Sequence, residues 1–111
     1  MSKRNDKLLL EDIVVSCNKI LEYTKDMSFE QFLNDERTID ACIRNFEVIG
    51  EAANNVSEFV IQKNNHINWR QVIGFRNRLI HAYFGVDNEI LWTIISENIL
   101  ILKNQIEEIL K

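Results

Sequence analysis

Five side chains that can bind or transform a polar ligand are concentrated within eight residues of an otherwise apolar segment: Arg76, Asn77, Arg78, His81 and Tyr83. They belong to a stretch, from Phe59 to Val86, that contains no Asp or Glu but holds four Lys or Arg residues and both histidines. The rest of the chain has nine Lys or Arg residues against all seventeen acids. A local positive field can therefore form on a protein of net charge -4, as a phosphate ligand requires. Chance clustering stays open as the alternative, because charge patterning is a weak signal.

The spacing of these residues on a helix limits how they could form one site. At about 100° per residue, Asn77 and His81 lie roughly 40° apart, whereas Arg76 and His81 are separated by roughly 140°. A site that Arg76 and His81 share therefore needs long side-chain reach, a distorted helix end near Gly85, or two subunits, and we favour two subunits. Taken singly, a histidine is more often a hydrogen-bonded structural residue than a catalyst, and arginines are usually solvated or ion-paired.

Motifs of other enzyme classes are missing from the sequence. It has no glycine-rich phosphate loop, no paired histidines with a glutamate on one helix, no cysteine cluster and no Gly-x-Ser-x-Gly elbow. His66 and His81, fifteen residues apart, would need carboxylates from elsewhere in the chain to hold a metal ion. We therefore expect neither a metal site nor a cofactor.

Apolar residues recur at helical spacing in four long segments, which predicts an all-α protein. The predicted helices cover residues 6–26, 36–63, 69–84 and 88–110, and a capping box at Ser28 and Gln31 predicts a short helical turn through Leu33. Asn68 and Asp87 are predicted N-caps. The chain has no proline and only three glycines, too few turn residues for an all-β fold. The prediction is an antiparallel four-helix bundle with a short extra helical turn, formed by one domain over residues 1–111.

Composition and hydropathy also bear on where the protein works. The apolar runs are far shorter than the roughly 20 residues of a membrane span, and Glu11 and Asp12 interrupt the first of them, which disfavours a signal peptide. We therefore expect a cytoplasmic protein that does not enter a membrane. Cys17 and Cys42 lack metal-ligand spacing, and in a reducing compartment both are expected to be small core residues.

The string Arg76-Asn77-Arg78-Leu79-Ile80-His81-Ala82-Tyr83 resembles the motif of HEPN-domain proteins of the HepT type. In that motif an Arg and a following polar residue precede a His, and here the motif has the Arg-x4-His-x-Tyr form of HepT-like toxins. The resemblance spans essentially the whole chain, and no motif position departs from it. Further similar features are Gly50-Glu51-Ala52-Ala53, Asn68-Trp69, Phe75 and Val86-Asp87.

The resemblance implies a metal-independent endoribonuclease in which the motif helices of a homodimer line a shared cleft. By this similarity His81 would act as general base or acid at the ribose 2′-hydroxyl and the leaving oxygen. Arg76 would bind the scissile phosphate and stabilise its developing charge, and Asn77 would help to orient the phosphate or the imidazole. Arg78 and Arg70 are weaker candidates for contacts with the RNA backbone.

The resemblance also implies a partner. In this family the antitoxin resembles a minimal nucleotidyltransferase that transfers AMP units to the motif tyrosine, here Tyr83. The added charge and bulk beside Arg76 would block RNA binding. Two alternatives stay open on the sequence alone: a noncatalytic helical module that binds a nucleotidyltransferase and presents substrate to it, and a structural dimer whose polar stripe serves only its interface.

Overall fold

A computed structural model describes residues 5–85 and 87–111, apart from the side chains of Arg76 and residues 79–85. This part of the chain is helical and contains no strand, which confirms the all-α prediction. In chain order its helices are α1 (Asp6–Tyr23), α2 (Phe29–Leu33), α3 (Glu36–Asn55), α4 (Glu58–Lys63), α5 (Trp69–Gly85), α6 (Asn88–Glu97) and α7 (Ile99–Leu110).

The long helices pack side by side around one core. Helix α3 lies between α1 and α5, α1 also packs on α7, and α6 contacts both α5 and α7. Helix α2 contacts α3 and α6, where Trp92 packs on Phe29 and Phe32 with ring centroids 6.2 and 4.9 Å apart. Each long helix turns an apolar face inward, as the helical spacing of its apolar residues requires. The fully buried large side chains include Ile13, Ile20, Phe46, Ile49, Phe75, Leu91, Ile99 and Ile106.

Both cysteines lie in this core and carry free thiols, as predicted from the sequence. Burial raises the pKa of Cys17 to about 12, and burial likewise raises the pKa of Cys42 to about 12. Both thiols are therefore neutral at physiological pH, and because the thiolate is the reactive form they act as small apolar residues.

The prediction of one helix over residues 36–63 is wrong, because the helix is interrupted at Val56 and Ser57. Val56 adopts an extended conformation, and the Ser57 hydroxyl accepts a hydrogen bond of 3.3 Å from the Val60 N–H to cap α4. The Asp6 carboxylate accepts two bonds from Ser57, one from its N–H at 2.8 Å and one from its hydroxyl at 2.6 Å. The first residue of α1 thus stabilises the break and ties it to the start of the bundle.

The predicted helix over residues 88–110 is also two helices, which meet at Asn98. The φ of -112° at this residue departs from helical geometry, although the Asn98 N–H still bonds to the Ile94 carbonyl at 2.9 Å. The first predicted helix ends three residues early, at Tyr23. Thr24 already departs from helical geometry, with φ -101° and ψ 3°, and Asp26 has a φ of 60°. The predicted capping box at Ser28 and Gln31 is confirmed.

Candidate active site

Helix α5 carries the motif, and two contacts fix where this helix begins. The Asn68 carboxamide oxygen accepts a hydrogen bond of 3.1 Å from the Gln71 N–H, which confirms the predicted N-cap. The Trp69 indole N–H donates to the Asn64 carbonyl, the C-cap of α4, at 3.0 Å. The end of α4 and the first turn of α5 are thereby held against each other.

One face of α5 is anchored in the core. Trp69, Val72 and Phe75 are spaced three residues apart and are no more than 5% exposed. The Phe75 ring meets the Phe46 ring of α3 edge to face, with centroids 5.4 Å apart and planes at 83°. This packing fixes the rotation of α5 about its own axis, so it determines which positions of the helix face outward.

The opposite side of the described part of α5 presents a row of outward positions. Arg70 and Asn77 are exposed, and Gly74 lies between them at helical spacing. We call these three residues the outer row. A Cβ built on Gly74 would meet nothing within 4 Å, so the space beside the row is open. Position 81 is four residues beyond Asn77 and continues the same register along the helix.

Arg78 lies on a different side of α5, in a groove that this helix forms with α6. The α5–α6 groove contains three carboxylate side chains, from Asp87, Glu89 and Glu97. Its other lining residues are Gln71, Arg78, Ile90, Thr93, Ile94 and Asn98. Arg78 is exposed and lines the same groove as these three acids, which we call the acidic wall and which the sequence of its own segment does not reveal.

The predicted catalytic pair is carried by the same helix. Residues 76, 81 and 83 all belong to α5, whose backbone runs as one helix from Trp69 to Gly85. The angular separation of roughly 140° between positions 76 and 81 therefore applies to this helix. The side chains of Arg76, His81 and Tyr83 lie outside the described residues, so their convergence and their roles stay predictions. The roles of Asn77, Arg70 and Arg78 in RNA binding stay predictions as well.

The described residues also bear on metal binding and on membrane insertion. Within residues 5–85 and 87–111, no group of three or more His, Cys, Asp or Glu side chains among those described is arranged to hold a metal ion. In the same part of the chain no helix combines the length and the apolar content that a membrane crossing requires.

Comparison with known proteins assigns the motif helix to a family. The family model described as "Ribonuclease HepT-like" matches residues 13–109, which include all of α5. The chain belongs to the HepT-like ribonuclease family. This confirms the family resemblance drawn from Arg76, His81 and Tyr83.

Individual HepT-like relatives match over nearly the full chain. "Probable ribonuclease HepT" of Thermococcus cleftensis is 42% identical over 109 residues, which cover 98% of this chain and 99% of the relative. "Putative RNase MJ1380" of Methanocaldococcus jannaschii is 39% identical over 107 residues, which cover 96% of this chain and 98% of the relative. No solved structure shows a significant match.

Two features of this candidate site were not predicted from the sequence. One is the open surface at Gly74. The sequence indicates it only indirectly, because glycine in a helix interior is unfavourable by about 1 kcal/mol and its presence there suggests a specific role. The other is the acidic wall opposite Arg78, which begins just after the acid-free stretch ends at Val86. Extending the charge count through the next helix would have indicated it.

Proposed function

We propose that this chain is a metal-independent endoribonuclease that acts on cytoplasmic RNA as the toxin of a toxin–antitoxin pair. The observation that carries the proposal is the match to the HepT-like ribonuclease family over a region that contains the complete Arg-x4-His-x-Tyr motif. The exposed Asn77 within that motif and the open space beside Gly74 support it, because both leave the outer row accessible to a ligand.

The proposed reaction is attack by a ribose 2′-hydroxyl on the adjacent phosphorus. An imidazole, that of His81, accepts the hydroxyl proton as the new O–P bond forms, and the bond from phosphorus to the 5′-oxygen breaks. The departing 5′-oxygen takes a proton from an imidazolium, so the products are a 2′,3′-cyclic phosphate and a 5′-hydroxyl. Arg76 binds the nonbridging phosphate oxygens, whose negative charge grows in the transition state, and Asn77 orients the phosphate or the imidazole.

The proposed active unit is a homodimer. An uninterrupted helix keeps positions 76 and 81 on different sides, and this supports a cleft to which two copies of α5 contribute. In such an arrangement the Arg76 of one protomer and the His81 of its partner serve one phosphodiester. A protein that stays monomeric at micromolar concentration while it cleaves RNA would contradict this part of the proposal.

The proposed regulator is a minimal nucleotidyltransferase that acts as the antitoxin. The Tyr83 phenolic oxygen attacks the α-phosphorus of ATP, pyrophosphate leaves, and the tyrosine retains an AMP group. The phosphate beside Arg76 then competes with RNA for the guanidinium and fills the cleft. Intact mass of the protein, expressed with and without the transferase, would show added AMP units in the first case only.

Replacing His81 by Ala tests the catalytic assignment. We expect cleavage of RNA by the unmodified protein to fall by about 10²–10⁴-fold, because general acid–base catalysis contributes that much. Growth inhibition on expression should disappear with it. The measurement is the rate of fragment formation from a labelled RNA, with detection of the cyclic phosphate end.

The matched control is His66→Ala, which removes the other histidine of the chain. His66 is exposed and lies in the connection between α4 and α5, so its loss should leave cleavage unchanged. Full cleavage by the His81→Ala variant would contradict the catalytic assignment. Absence of cleavage by the unmodified wild-type dimer, together with AMP transfer to it, would instead identify a noncatalytic module that presents Tyr83 to its partner.

A further inference from the structure

Phe59 on α4 is exposed to a degree that is unusual for a phenylalanine. Its side chain is 72% exposed, whereas the next most exposed large apolar residue in the described part of the chain, Ile101, is 57% exposed. The Lys63 ammonium, one turn later on α4, lies 5.7 Å from the centroid of the Phe59 ring. This is a cation–π arrangement, and it places a positive charge against an aromatic surface that is open to solvent.

The ring is carried by a short helix that is fixed at both ends. At its start, Ser57 caps α4 and is itself held by the Asp6 carboxylate. At its end, the Asn64 carbonyl accepts the Trp69 indole N–H, which joins α4 to the first turn of α5. Arg70, the next residue, is exposed on that turn. We call Phe59 and Lys63, with Arg70 on the adjoining turn of α5, the α4 platform.

The charge around this platform favours an anionic ligand. No Asp or Glu occurs from Phe59 to Val86. Of the acids at the start of α4, Glu58 accepts a hydrogen bond from the Gln62 side chain at 3.1 Å, and the Asp6 carboxylate accepts two from Ser57. The platform therefore combines one exposed aromatic face with two cations. An apolar protein partner would bury several neighbouring apolar side chains, whereas a nucleobase needs only one ring to stack on.

We propose that the α4 platform binds single-stranded RNA beside the nucleotide that is cleaved. One base stacks on the Phe59 ring, and the Lys63 ammonium and the Arg70 guanidinium contact backbone phosphates. The inference rests on the proposed function, since the bound strand is the substrate. Twelve residues of helix separate Trp69 from position 81, a rise of about 18 Å, so the platform holds a flanking nucleotide and not the reacting one.

Equilibrium binding of a fluorescein-labelled oligouridylate to the full-length dimer tests this site. All variants carry His81→Ala, so that the strand is not cleaved during the measurement. Phe59→Ala should weaken binding by about tenfold, as loss of one stacked base does, and Phe59→Trp should retain binding because indole also stacks. Affinity falls as salt rises, and Lys63→Gln should make the plot of log affinity against log salt shallower by about 0.7, the value for one phosphate contact on a single strand.

Two control variants are matched in chemistry but lie elsewhere. Tyr23→Ala removes an exposed aromatic ring from the opposite end of α1, and Lys19→Gln removes an exposed cation from the same helix. Both should leave affinity and salt slope unchanged. Because Phe59 and Lys63 are exposed, thermal melting of their variants should match that of the parent.

Three results would overturn the α4 platform. The first is that Phe59→Ala leaves the affinity unchanged and Lys63→Gln leaves the salt dependence unchanged. The second is a fall in solution mass for Phe59→Ala, which would show that the ring packs against another copy of the chain. The third is an unchanged KM for cleavage of a long RNA when Phe59→Ala, in a protein that retains His81, is compared with the wild type. The proposed ribonuclease activity would then stand, but without this binding site. If the wild-type protein neither binds nor cleaves RNA, the proposed function fails first.

Discussion

Arg70 and Arg78 lie on the same helix and come from the same acid-free stretch, yet their surroundings differ in the folded chain. Arg70 is exposed in the first turn of α5, beside the end of α4, where Lys63 adds a second positive charge nearby in sequence. Arg78 is exposed two turns later, in a groove whose wall contributes the carboxylates of Asp87, Glu89 and Glu97. Because Arg78 shares its groove with three negative charges, we expect it to be less available to an anionic ligand than Arg70.

The difference shows what a charge count along the chain measures and what it omits. The count from Phe59 to Val86 gives four cations without an acid, but a field in space also includes groups from neighbouring elements. Helix α6 packs on α5, and its acids line the same groove as Arg78. At α4, the acid that another helix contributes is Asp6, whose carboxylate accepts two hydrogen bonds from Ser57. The two arginines therefore have the same predicted role but unequal expected contributions to RNA binding.

Loss of Phe75 should disturb both regions at once and is the largest effect we expect. Its ring is 1% exposed and packs edge to face on Phe46, so Phe75→Ala should lower the free energy of unfolding by about 3–5 kcal/mol. Urea unfolding measures this, and labelling of the buried Cys17 and Cys42 thiols would report the loosened core. Phe59→Ala removes the same side chain from an exposed site, and an equal loss of stability in the two variants would contradict the assigned packing of α5.

Removing the two arginines separately tests the comparison itself. In the His81→Ala background, Arg70→Gln should weaken oligouridylate binding several-fold and reduce the salt slope by about 0.7, as expected for one lost phosphate contact. Arg78→Gln should change both quantities less, because three carboxylates line the same groove as Arg78. The measurement is fluorescence anisotropy across a salt series.

A second pair of changes sharpens that comparison. The double variant Glu89→Gln, Glu97→Gln removes two of the three carboxylates that line the α5–α6 groove. It should raise RNA affinity when Arg78 is present. The same double change should raise RNA affinity much less in a protein that also carries Arg78→Gln. The difference between these two responses is the coupling between Arg78 and its acidic wall. A larger loss of binding from Arg78→Gln than from Arg70→Gln would reverse our ranking of the two sites.

The sequence was sufficient for features that depend on local patterns. Helical spacing placed the long apolar faces, and Asn68, Ser28 and Asp87 were identified as caps because their side chains bond to N–H groups only three residues on. The break at Ser57 was missed because its stabilising partner, Asp6, lies 51 residues away. The division between α6 and α7 at Asn98 was missed because helical hydrogen bonds continue across it and no Gly or Pro marks it.

The candidate site likewise has features that the sequence predicted and features that it did not. The motif positions were identified from their linear spacing, and the family match confirms the family to which the motif belongs. The acidic wall opposite Arg78 could not be predicted from the same window, because it depends on how α6 packs on α5. The exposure of Phe59 was hidden for a similar reason, since its apolar type suggests a core residue and only the fold leaves it uncovered.

Gly74 provides the smallest and most local test, on the side of α5 that carries Arg70. An added Cβ meets nothing within 4 Å, so Gly74→Ala introduces no clash within the described chain and restricts the unfolded chain. The free energy of unfolding should therefore rise by about 0.4–1 kcal/mol, measured by urea denaturation at two protein concentrations. A loss of stability relative to the wild type that is largest at the higher protein concentration and shrinks on dilution would show that a second copy contacts this position. That contact would close the outer row to RNA and leave only its ends, Arg70 and Asn77, accessible.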